Sequence, residues 1–237
     1  NNFKGFRIIM SNFTIVIPVY NEGKNLKKLI SQIYKILPKK NFELIIVDDS
    51  SDDGTPEIMA KIRKNNLRYI IRREKRDLSK SCIMGFEKAK HKNILVMDGD
   101  LQHKPGDILK FLNIKKKKDP DIIVGSRNLF DKKKHNLSFK RLFASRMLIL
   151  IVNLLLGKKT SDPMSGFFMF KKSVFTKSKQ ILIKKGYKIL LDLIYSGNRS
   201  IFVTDVDINF DSRKKGNSKM NYKVLFVLIS MILEKFL

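Results

Sequence analysis

The sequence contains no tryptophan, one cysteine, six prolines and three histidines among its 237 residues. Because the lone Cys82 has no second cysteine to pair with, a disulfide framework within the chain is excluded, and this usage weakly favours a reducing compartment. The histidines, His91, His103 and His135, are scattered and lack the spacing of a zinc site. The 43% of hydrophobic residues is enough for an ordinary core, so a disordered chain is not expected.

Acidic residues are also scarce, because 22 aspartates and glutamates stand against 49 lysines and arginines, a formal net charge of +27. The lysines are dispersed along the whole chain, which is typical of a lysine-rich background composition rather than of one nucleic-acid-binding face. A functional interpretation stays open, since each basic residue close to an anionic membrane contributes roughly 1 kcal/mol. Charge alone does not decide between the two.

Long hydrophobic runs are absent as well. A membrane-spanning helix needs about 20 predominantly apolar residues, and the best candidates, Met147–Leu156 and Val224–Leu233, are about half that long. The first ten residues lack the apolar core and cleavage site of a secretory signal. We expect residues 1–10 to be an N-terminal extension and the chain to have no spanning helix.

Strand and helix patterns alternate over the first half of the chain. The predicted strands are Phe13–Val19, Phe42–Val47, Leu67–Ile71, Asn93–Met97 and Asp121–Val124, and the helices among them are Asn25–Leu37, Glu57–Lys64 and Ser79–Lys90. Strands separated by helices of this length predict an α/β fold with a mostly parallel sheet. Later elements are a helix near Tyr187–Tyr195, a strand near Ile201–Val206 and a last helix over Lys219–Phe236.

Residues 137–156 have the pattern of a basic amphipathic helix. Its apolar stripe consists of Phe139, Leu142, Phe143, Met147, Leu150, Ile151, Leu154 and Leu155. Its other face holds Lys140, Arg141, Ser145, Arg146 and Asn153. Such a helix either lies in a membrane interface or buries its stripe against the sheet, and the sequence leaves both open.

The segment Ile94–His103 joins an apolar strand to polar side chains. Asp98, Asp100 and Gln102 follow the strand at alternate positions, and along extended backbone such residues point the same way. Three oxygen ligands would then meet one hard cation at the carboxyl end of a strand, where ligands bind in open α/β sheets. Because such an ion usually completes its shell with substrate phosphates, the pattern predicts a diphosphate site.

A second acidic cluster, Asp48–Thr55, follows another predicted strand. It is not a calcium-binding EF-hand, because the twelfth loop position would be Ala60 rather than glutamate and a strand precedes it. Two interpretations stay open: a turn in which aspartate and serine side chains cap the backbone, or a loop that presents one aspartate to a ligand.

No glycine-rich phosphate loop is present, of either the dinucleotide-binding or the P-loop pattern. The charge of a nucleotide diphosphate would therefore have to be met by a metal ion and basic side chains. Arg127 lies just past a predicted strand, and Arg213 and Lys219 flank Gly216, which permits a tight bend. Arginine binds phosphate through two donors and lysine acts as a point charge.

Six motifs resemble the inverting nucleotide-sugar glycosyltransferases of family 2. They are Thr14–Glu22, Val47–Thr55, Met97–His103, Asp162–Phe168, Gly186–Leu191 and Arg213–Lys219. The first two are shared by many sugar transferases, whereas the last three are more specific, and together the motifs look like the dolichol-phosphate (polyprenol-phosphate) mannosyltransferases. The resemblance implies a single GT-A type domain over residues 11–237, with 137–156 as a membrane-interface helix and 219–236 as a C-terminal amphipathic-helix region.

The resemblance also implies roles for particular residues. Those that would bind the nucleotide sugar are Pro18, Tyr20, Glu22, Val47, Asp49, Asp98, Gly99, Asp100 and Arg127. Those that would hold Mg²⁺ or Mn²⁺ are Asp98, Asp100 and Gln102, and those that would bind phosphates are Arg127, Arg213 and Lys219. Those that would act in catalysis are Asp98, Asp100, Arg127 and Arg213.

Two positions depart from the family pattern. Gly99 stands where alanine is usual, a change expected to alter loop flexibility more than chemistry, and Asp77 stands where glycine is common. Because glycine permits backbone conformations that other residues avoid, Asp77 puts the conformation of its loop in question.

The function implied by the resemblance is transfer of mannose from GDP-mannose to a membrane polyprenyl phosphate, with inversion and with a metal ion. The same chemistry with another donor, such as UDP-glucose, is the nearest alternative; a non-catalytic basic protein bound to nucleic acid or membrane is a remote one. The expected partners are the nucleotide sugar, the lipid phosphate and an anionic membrane surface, with no nucleic acid. A peripheral location on the cytoplasmic face is expected, and a small membrane partner subunit is left open.

Overall fold

The structure, a computed structural model, describes residues 12–37, 42–127, 129, 139–184, 186, 188–196, 200–211, 230 and 232–235. The strands are β1 (Phe13–Val19), β2 (Phe42–Asp48), β3 (Leu67–Ile71), β4 (Asn93–Val96), β5 (Ile122–Ser126), β6 (Phe168–Lys171) and β7 (Val203–Asp207). The helices are α1 (Gly23–Ile36), α2 (Thr55–Ala60), α3 (Leu78–Lys88), α4 (Ile108–Lys118), α5 (Phe139–Leu156), α6 (Lys172–Ser178) and α7 (Ile189–Ser196).

The strands form one sheet in the order β3-β2-β1-β4-β6-β5-β7. β1 pairs in parallel with β2 and β4, β2 with β3, and β5 with β7, whereas β6 runs antiparallel to both of its neighbours. The predicted α/β fold with a mostly parallel sheet is therefore confirmed. β6 was not predicted, because a four-residue apolar run carries no period that separates strand from helix.

The central strands are buried on both faces, which explains their nearly continuous hydrophobic sequences. Alternate residues of β1 enter two cores. Ile15 and Ile17 pack with residues of α1 and α4, including Leu29 and Phe111. Val16 packs on the other side with residues of α3 and α7, including Phe86. The helices thus cover both faces and leave the strand ends as the place where polar loops collect.

Several predicted elements differ from the structure at their ends or were missed. β4 ends one residue before the predicted strand, and α2 ends at Ala60 rather than at Lys64. Helices α4 and α6 were not predicted. The predicted C-terminal helix Lys219–Phe236 falls largely outside the described residues, within which residue 230 and residues 232–235 are helical. Residues 1–10 also lie outside them.

Helix α5 exposes four of the eight residues of its predicted stripe. The side chains of Phe143, Leu150 and Leu154 are 59%, 60% and 81% exposed. The buried positions are Leu142, Ser145, Leu148, Ile149 and Val152. The stripe is therefore divided between protein and solvent, since Leu142 is buried and Ile151 and Leu155 pack against a core cluster. Because α5 is apolar on nearly all sides, spacing could not identify the buried face. No helix in the described ranges is long and apolar enough to span a membrane.

Candidate active site

The loops that follow β1, β2 and β4 meet at one edge of the sheet. The backbone N–H of Asp49, after β2, donates to the carbonyl of Val19 at 2.9 Å. A Cβ added to Gly99, after β4, would lie 2.9 Å from Cγ1 of Val19 and 3.8 Å from Cβ of Glu22. The structure therefore brings together residues that the sequence places in three separate motifs.

The acidic turn after β2 holds the loop after β1 through side-chain hydrogen bonds. Asn21, at φ 56°, donates its backbone N–H to the hydroxyl of Ser51 at 2.8 Å and its amide to Asp52 at 2.6 Å. Asp53 accepts the N–H of Gly23 at 3.1 Å. Burial raises the pKa of Asp53, but hydrogen bonds from Thr55 and Gly23 lower it overall. Within the turn, Asp48 accepts the N–H of Ser51 at 2.9 Å and Asp53 accepts the N–H of Thr55 at 3.1 Å, as the capping interpretation predicts. Contact of one aspartate with a ligand stays a prediction.

Asp49 is held on both of its carboxylate oxygens. Oδ1 accepts from Nη2 of the buried Arg72, and Oδ2 accepts the backbone N–H of Asp77 at 2.8 Å. Arg72 also donates to the carbonyl of Lys75 at 2.6 Å. The predicted contact of Asp49 with a nucleoside stays a prediction, for which the structure supplies a fixed carboxylate at the correct sheet edge.

The other predicted nucleoside contacts differ in accessibility. Tyr20 is half-buried, and Cζ of the exposed Arg76 lies 4.1 Å from its ring centroid. Pro18 is buried within β1, and Glu22 is buried with a hydrogen bond of 2.7 Å from the amide of Asn25. Val47 packs in the core with no exposed surface, and its contact with a nucleoside stays a prediction.

The segment after β4 is not extended, and the geometric reason given for the cation site was wrong. β4 ends at Val96, and Leu101 has a positive φ of 63°. The backbone N–H of Gln102 turns back to Oδ1 of Asp100 at 3.0 Å, while its side-chain Nε2 donates to the carbonyl of Asp211 at 3.0 Å. The chain therefore bends after β4, and Asp98, Asp100 and Gln102 do not alternate along a strand.

Asp98 lies at the entrance of this bend, and its side chain remains 38% exposed. Its Oδ2 is 3.3 Å from Nε2 of His103. A Cβ on Gly166 would lie only 2.4 Å from the same oxygen, so only glycine leaves room for the carboxylate. Asp100 and Gln102, which follow Asp98 in the sequence, are both buried.

The donor atoms of the predicted metal set are carboxylate and amide oxygens, the ligands that a hard divalent cation prefers. Across the described residues, no group of three or more His, Cys, Asp or Glu side chains is arranged to hold a metal. The predicted set has two carboxylates and depends on the amide of Gln102 for its third ligand. Nε2 of Gln102 donates to the carbonyl of Asp211, so the side-chain oxygen Oε1 is the atom of this residue that would bind the metal ion.

Arg127 enters the site as half of a buried ion pair. Its Nε and Nη2 donate to the two oxygens of Asp162 at 2.6 and 2.8 Å, and its Cζ lies 5.5 Å from the ring centroid of Phe210. Burial lowers the pKa of Arg127, but the charge and hydrogen bonds of Asp162, with a smaller effect of Asp98, raise it overall. The guanidinium is therefore a fixed positive charge, and a phosphate would have to share it with Asp162.

The loop that carries Asp162 and Gly166 is fixed from several directions. The hydroxyl of Thr160 and the N–H of Ser161 both donate to Asp205 on β7. The hydroxyl of Ser165 donates to the carbonyl of Gly125 at 2.7 Å, and Nζ of Lys188 donates to the carbonyl of Met164 at 2.7 Å. These contacts hold the loop against Arg127 and Asp98.

Sequence reasoning missed three residues of the site: His103, Asp162 and Gly166. All three lie in motifs that carried the family resemblance, which was the available signal, but no spacing rule indicates that Asp162 pairs with Arg127. Two predicted phosphate-binding residues, Arg213 and Lys219, lie outside the described residues. Asp211, two positions before Arg213 in the sequence, donates its N–H to the carbonyl of Gln102 at 3.1 Å.

The two departures from the family pattern have structural explanations. Asp77 has φ −163°, an extended conformation open to any residue, so glycine is not required there. Its carboxylate accepts the N–H of Lys80 at 3.1 Å, which caps α3, and the N–H of Gly186 at 2.8 Å. At Gly99 an alanine methyl would come within 2.9 Å of Val19. The difference between glycine and alanine here therefore affects packing against Val19 as well as loop flexibility.

The comparisons with known proteins agree with this fold. The chain belongs to glycosyl transferase family 2, whose model matches residues 14–178. Within it, the chain is 36% identical over 216 residues to a dolichol-phosphate mannosyltransferase of Pyrococcus furiosus, covering 90% of this chain and 60% of that protein. The chain thus spans about 60% of the length of that relative.

A second relative, the dolichol-phosphate mannosyltransferase of Mycosarcoma maydis, is 31% identical over 93% of this chain and 78% of its own length. Among solved structures, glucosyl-3-phosphoglycerate synthase from Mycobacterium tuberculosis superposes with a TM-score of 0.74 at 14% identity, covering 95% of this chain and 79% of that one. At that identity the likeness concerns the fold alone, which is a GT-A-like α/β domain.

Proposed function

We propose that the protein transfers mannose from GDP-mannose to the phosphate of a membrane polyprenyl (dolichyl) phosphate, with inversion at the sugar carbon. The observation that carries this proposal is the meeting of three strand-end loops, which places Asp49, Asp98 and Asp100 at one edge, with Arg127 paired to the adjoining loop. The relatives named dolichol-phosphate mannosyltransferase support the choice of sugar and acceptor.

The proposed activity is metal-dependent. Asp98, Asp100 and Gln102 would hold Mg²⁺ or Mn²⁺ through oxygen ligands, which suit such cations. When bound, the ion supplies Lewis-acid stabilisation of the negative charge on a departing diphosphate. The structural neighbour from Mycobacterium tuberculosis was crystallised with Mn²⁺ and UDP-glucose and also with Mg²⁺ and UDP, which supports a divalent ion in this fold.

The reaction forms a bond between an acceptor phosphate oxygen and the sugar carbon and breaks the bond from that carbon to the diphosphate of GDP. A monoester phosphate with a second pKa of about 6 is largely a dianion near neutral pH, so it needs no protein base to activate it. The protein has to position two anionic phosphates close together. Arg127, fixed by Asp162, supplies one positive charge, and we assign the others to Arg213 and Lys219.

The acceptor is a lipid, and helix α5 offers a surface for the membrane in which it is embedded. Phe143, Met147, Leu150 and Leu154 are all exposed and recur every three or four residues, so they lie along one side of the helix. An apolar stripe on a protein of net charge +27 suits the interface of an anionic bilayer. We therefore propose a peripheral location on the cytoplasmic face of a membrane.

The test is an assay of purified protein with radiolabelled GDP-mannose, UDP-glucose or UDP-galactose and a short polyprenyl phosphate, with and without EDTA. We expect a lipid-linked product from GDP-mannose alone, lost on chelation and restored by Mg²⁺ or Mn²⁺. If the product forms from UDP-glucose instead, the proposed sugar is wrong and the proposed type of reaction is retained. Absence of lipid-linked product from every donor would overturn the proposal.

Asp100→Asn is the matched variant in this assay, because it removes one charge and keeps the size of the side chain. We expect a steep loss of turnover, since the metal site would lose a carboxylate. Asp119→Asn, at an exposed position at the end of α4, is the control and should retain full activity. Wild-type activity of Asp100→Asn would remove this residue from the proposed mechanism.

A further inference from the structure

His103 is a buried imidazole whose ring has one polar contact within the part of the chain that the structure describes. It is 1% exposed and lies between Phe167 and Phe210, whose ring centroids are 5.0 and 5.1 Å from its own. Nε2 lies 3.3 Å from Oδ2 of Asp98. Nδ1 is buried and has no hydrogen-bond partner among the described residues.

The partner of Nε2 fixes the tautomer of the ring. An ionised carboxylate can only accept a hydrogen bond, so Nε2 carries the hydrogen and donates a hydrogen bond to Asp98. Nδ1, which can accept a hydrogen bond in the neutral ring and donate one in the protonated ring, has no partner among the described residues in either case, which is unfavourable for folding. An apolar ring such as phenylalanine would suit the surrounding aromatic contacts better, so packing does not explain this histidine.

The contact with His103 acts on an oxygen that is already confined. On its other side, Oδ2 of Asp98 lies against the backbone of Gly166, where a Cβ would be only 2.4 Å away. The imidazole N–H on one side and the glycine backbone on the other restrict the orientation of the carboxylate, while its side chain keeps 38% exposure. This is the arrangement of a ligand that is oriented before the ion arrives.

We infer that His103 is a positioning residue that orients Asp98 for a divalent cation through the Nε2–H···Oδ2 hydrogen bond. The inference rests on the proposed metal-dependent function. Hydrogen bonds from a second layer of residues to metal ligands typically change metal affinity by about 10–100-fold. His103 therefore acts through Asp98, without contacting the ion or the substrate itself.

The experiment measures Mn²⁺ affinity of the purified full chain by electron paramagnetic resonance in the absence of donor and acceptor, together with the thermal unfolding midpoint. In His103→Phe we expect Mn²⁺ affinity to fall by about 10–100-fold, while the midpoint stays equal or rises because an unpaired buried nitrogen is removed. His103→Gln keeps an N–H donor and should recover most of the affinity. His91→Phe, a half-buried histidine elsewhere, is the control and should change neither the affinity nor the metal dependence.

Different outcomes separate the inference from the proposed function. If Asp98→Asn loses Mn²⁺ affinity but His103→Phe binds as well as the parent, the metal site stands and the role of His103 is overturned. If His103→Phe and His103→Gln lose affinity equally and both unfold at lower temperature, the histidine acts by packing, and the inference is again overturned. If the parent itself binds no Mn²⁺, the metal site and the inference fail together.

Discussion

Arg127 and Asp162 form a buried bidentate ion pair between the end of β5 and the loop before β6, with donor–acceptor distances of 2.6 and 2.8 Å. Asp162→Ala would leave the guanidinium buried without its partner, so we expect the free energy of unfolding to fall by about 3–5 kcal/mol. Urea denaturation measures it. Asp119→Ala, which removes an exposed partner of Lys115, should cost less than about 1 kcal/mol. Equal losses in the two variants would contradict the buried pair.

Gly166→Ala tests the close approach of Asp98 to the backbone. The new methyl would meet Oδ2 of Asp98 at 2.4 Å, so the carboxylate has to move. We expect activity and divalent-ion affinity to fall by at least about tenfold, with the protein still folded. Gly106→Ala is the matched control, because a Cβ there has no atom within 4 Å. Full activity of Gly166→Ala would show that the position of this oxygen is not important.

The exposed stripe of α5 gives a test of membrane binding. Leu150→Ser combined with Leu154→Ser removes two exposed apolar side chains, so the unfolding free energy should change by less than about 1 kcal/mol. Binding to anionic liposomes, measured by co-sedimentation, should weaken at least about tenfold. Phe202→Ser, an exposed aromatic residue just before β7, is the control. Unchanged sedimentation of the double variant would contradict binding through α5.

Suppose that the double variant binds liposomes normally but no longer co-sediments with membranes that contain other proteins. The stripe would then contact a membrane partner subunit instead of lipid. That outcome would keep the glycosyl transfer and change what covers α5. Raising the salt concentration separates the two contributions to lipid binding, because salt screens the basic side chains and not the apolar ones.

Acid should destabilise the protein through Glu43, a buried carboxylate on β2. Burial raises its pKa, but hydrogen bonds from the N–H of Lys90, the hydroxyl of Thr14 and the guanidinium of Arg68 lower it below the usual 4.5 overall. Since the folded pKa lies below the unfolded one, the stabilisation is present above the unfolded value and is lost as the pH falls through the folded value. The gap in unfolding free energy between the parent and Glu43→Gln should therefore narrow below about pH 4.5.

Urea unfolding of both proteins between about pH 7 and pH 3.5 measures this gap. Glu57→Gln on α2, which removes the same charge at an exposed position, corrects for the change in net charge. A gap that stays constant across this range would contradict the lowered pKa of Glu43.

Much of the fold followed from local pattern. β1 and β3 begin and end where the hydrophobic runs predicted. β1 is buried on both faces and is therefore a continuous apolar segment, whereas β3 is a partly exposed edge strand. β6 and helix α4 did not follow, since a four-residue strand has no readable period and the lysines of α4 mask its few apolar positions. In α5 the helix was predicted correctly and its buried face was not, because apolar residues occur on almost every side.

Some features of the candidate site were likewise predicted from local sequence and others were not. The motifs indicated Asp98 and Asp100, but the extended geometry used to group them with Gln102 was wrong, since Leu101 takes a positive φ and the chain bends. The capping role of the turn Asp48–Thr55 was one of two open interpretations. Its hydrogen bonds to Asn21 and Gly23 join residues about 30 positions apart, which no local rule detects.

The sequence by itself determined the α/β class, most of the strands and helices, the family resemblance and the identity of the polar residues that follow β1, β2 and β4. These depend on hydrophobic period and on short motifs, which are properties of neighbouring residues. Only the tertiary structure decided that Arg127 pairs with Asp162, that His103 donates to Asp98 and that Gly166 leaves room for that carboxylate. Such contacts depend on how parallel strands bring distant loops to one edge of the sheet, where sequence separation has no fixed relation to distance.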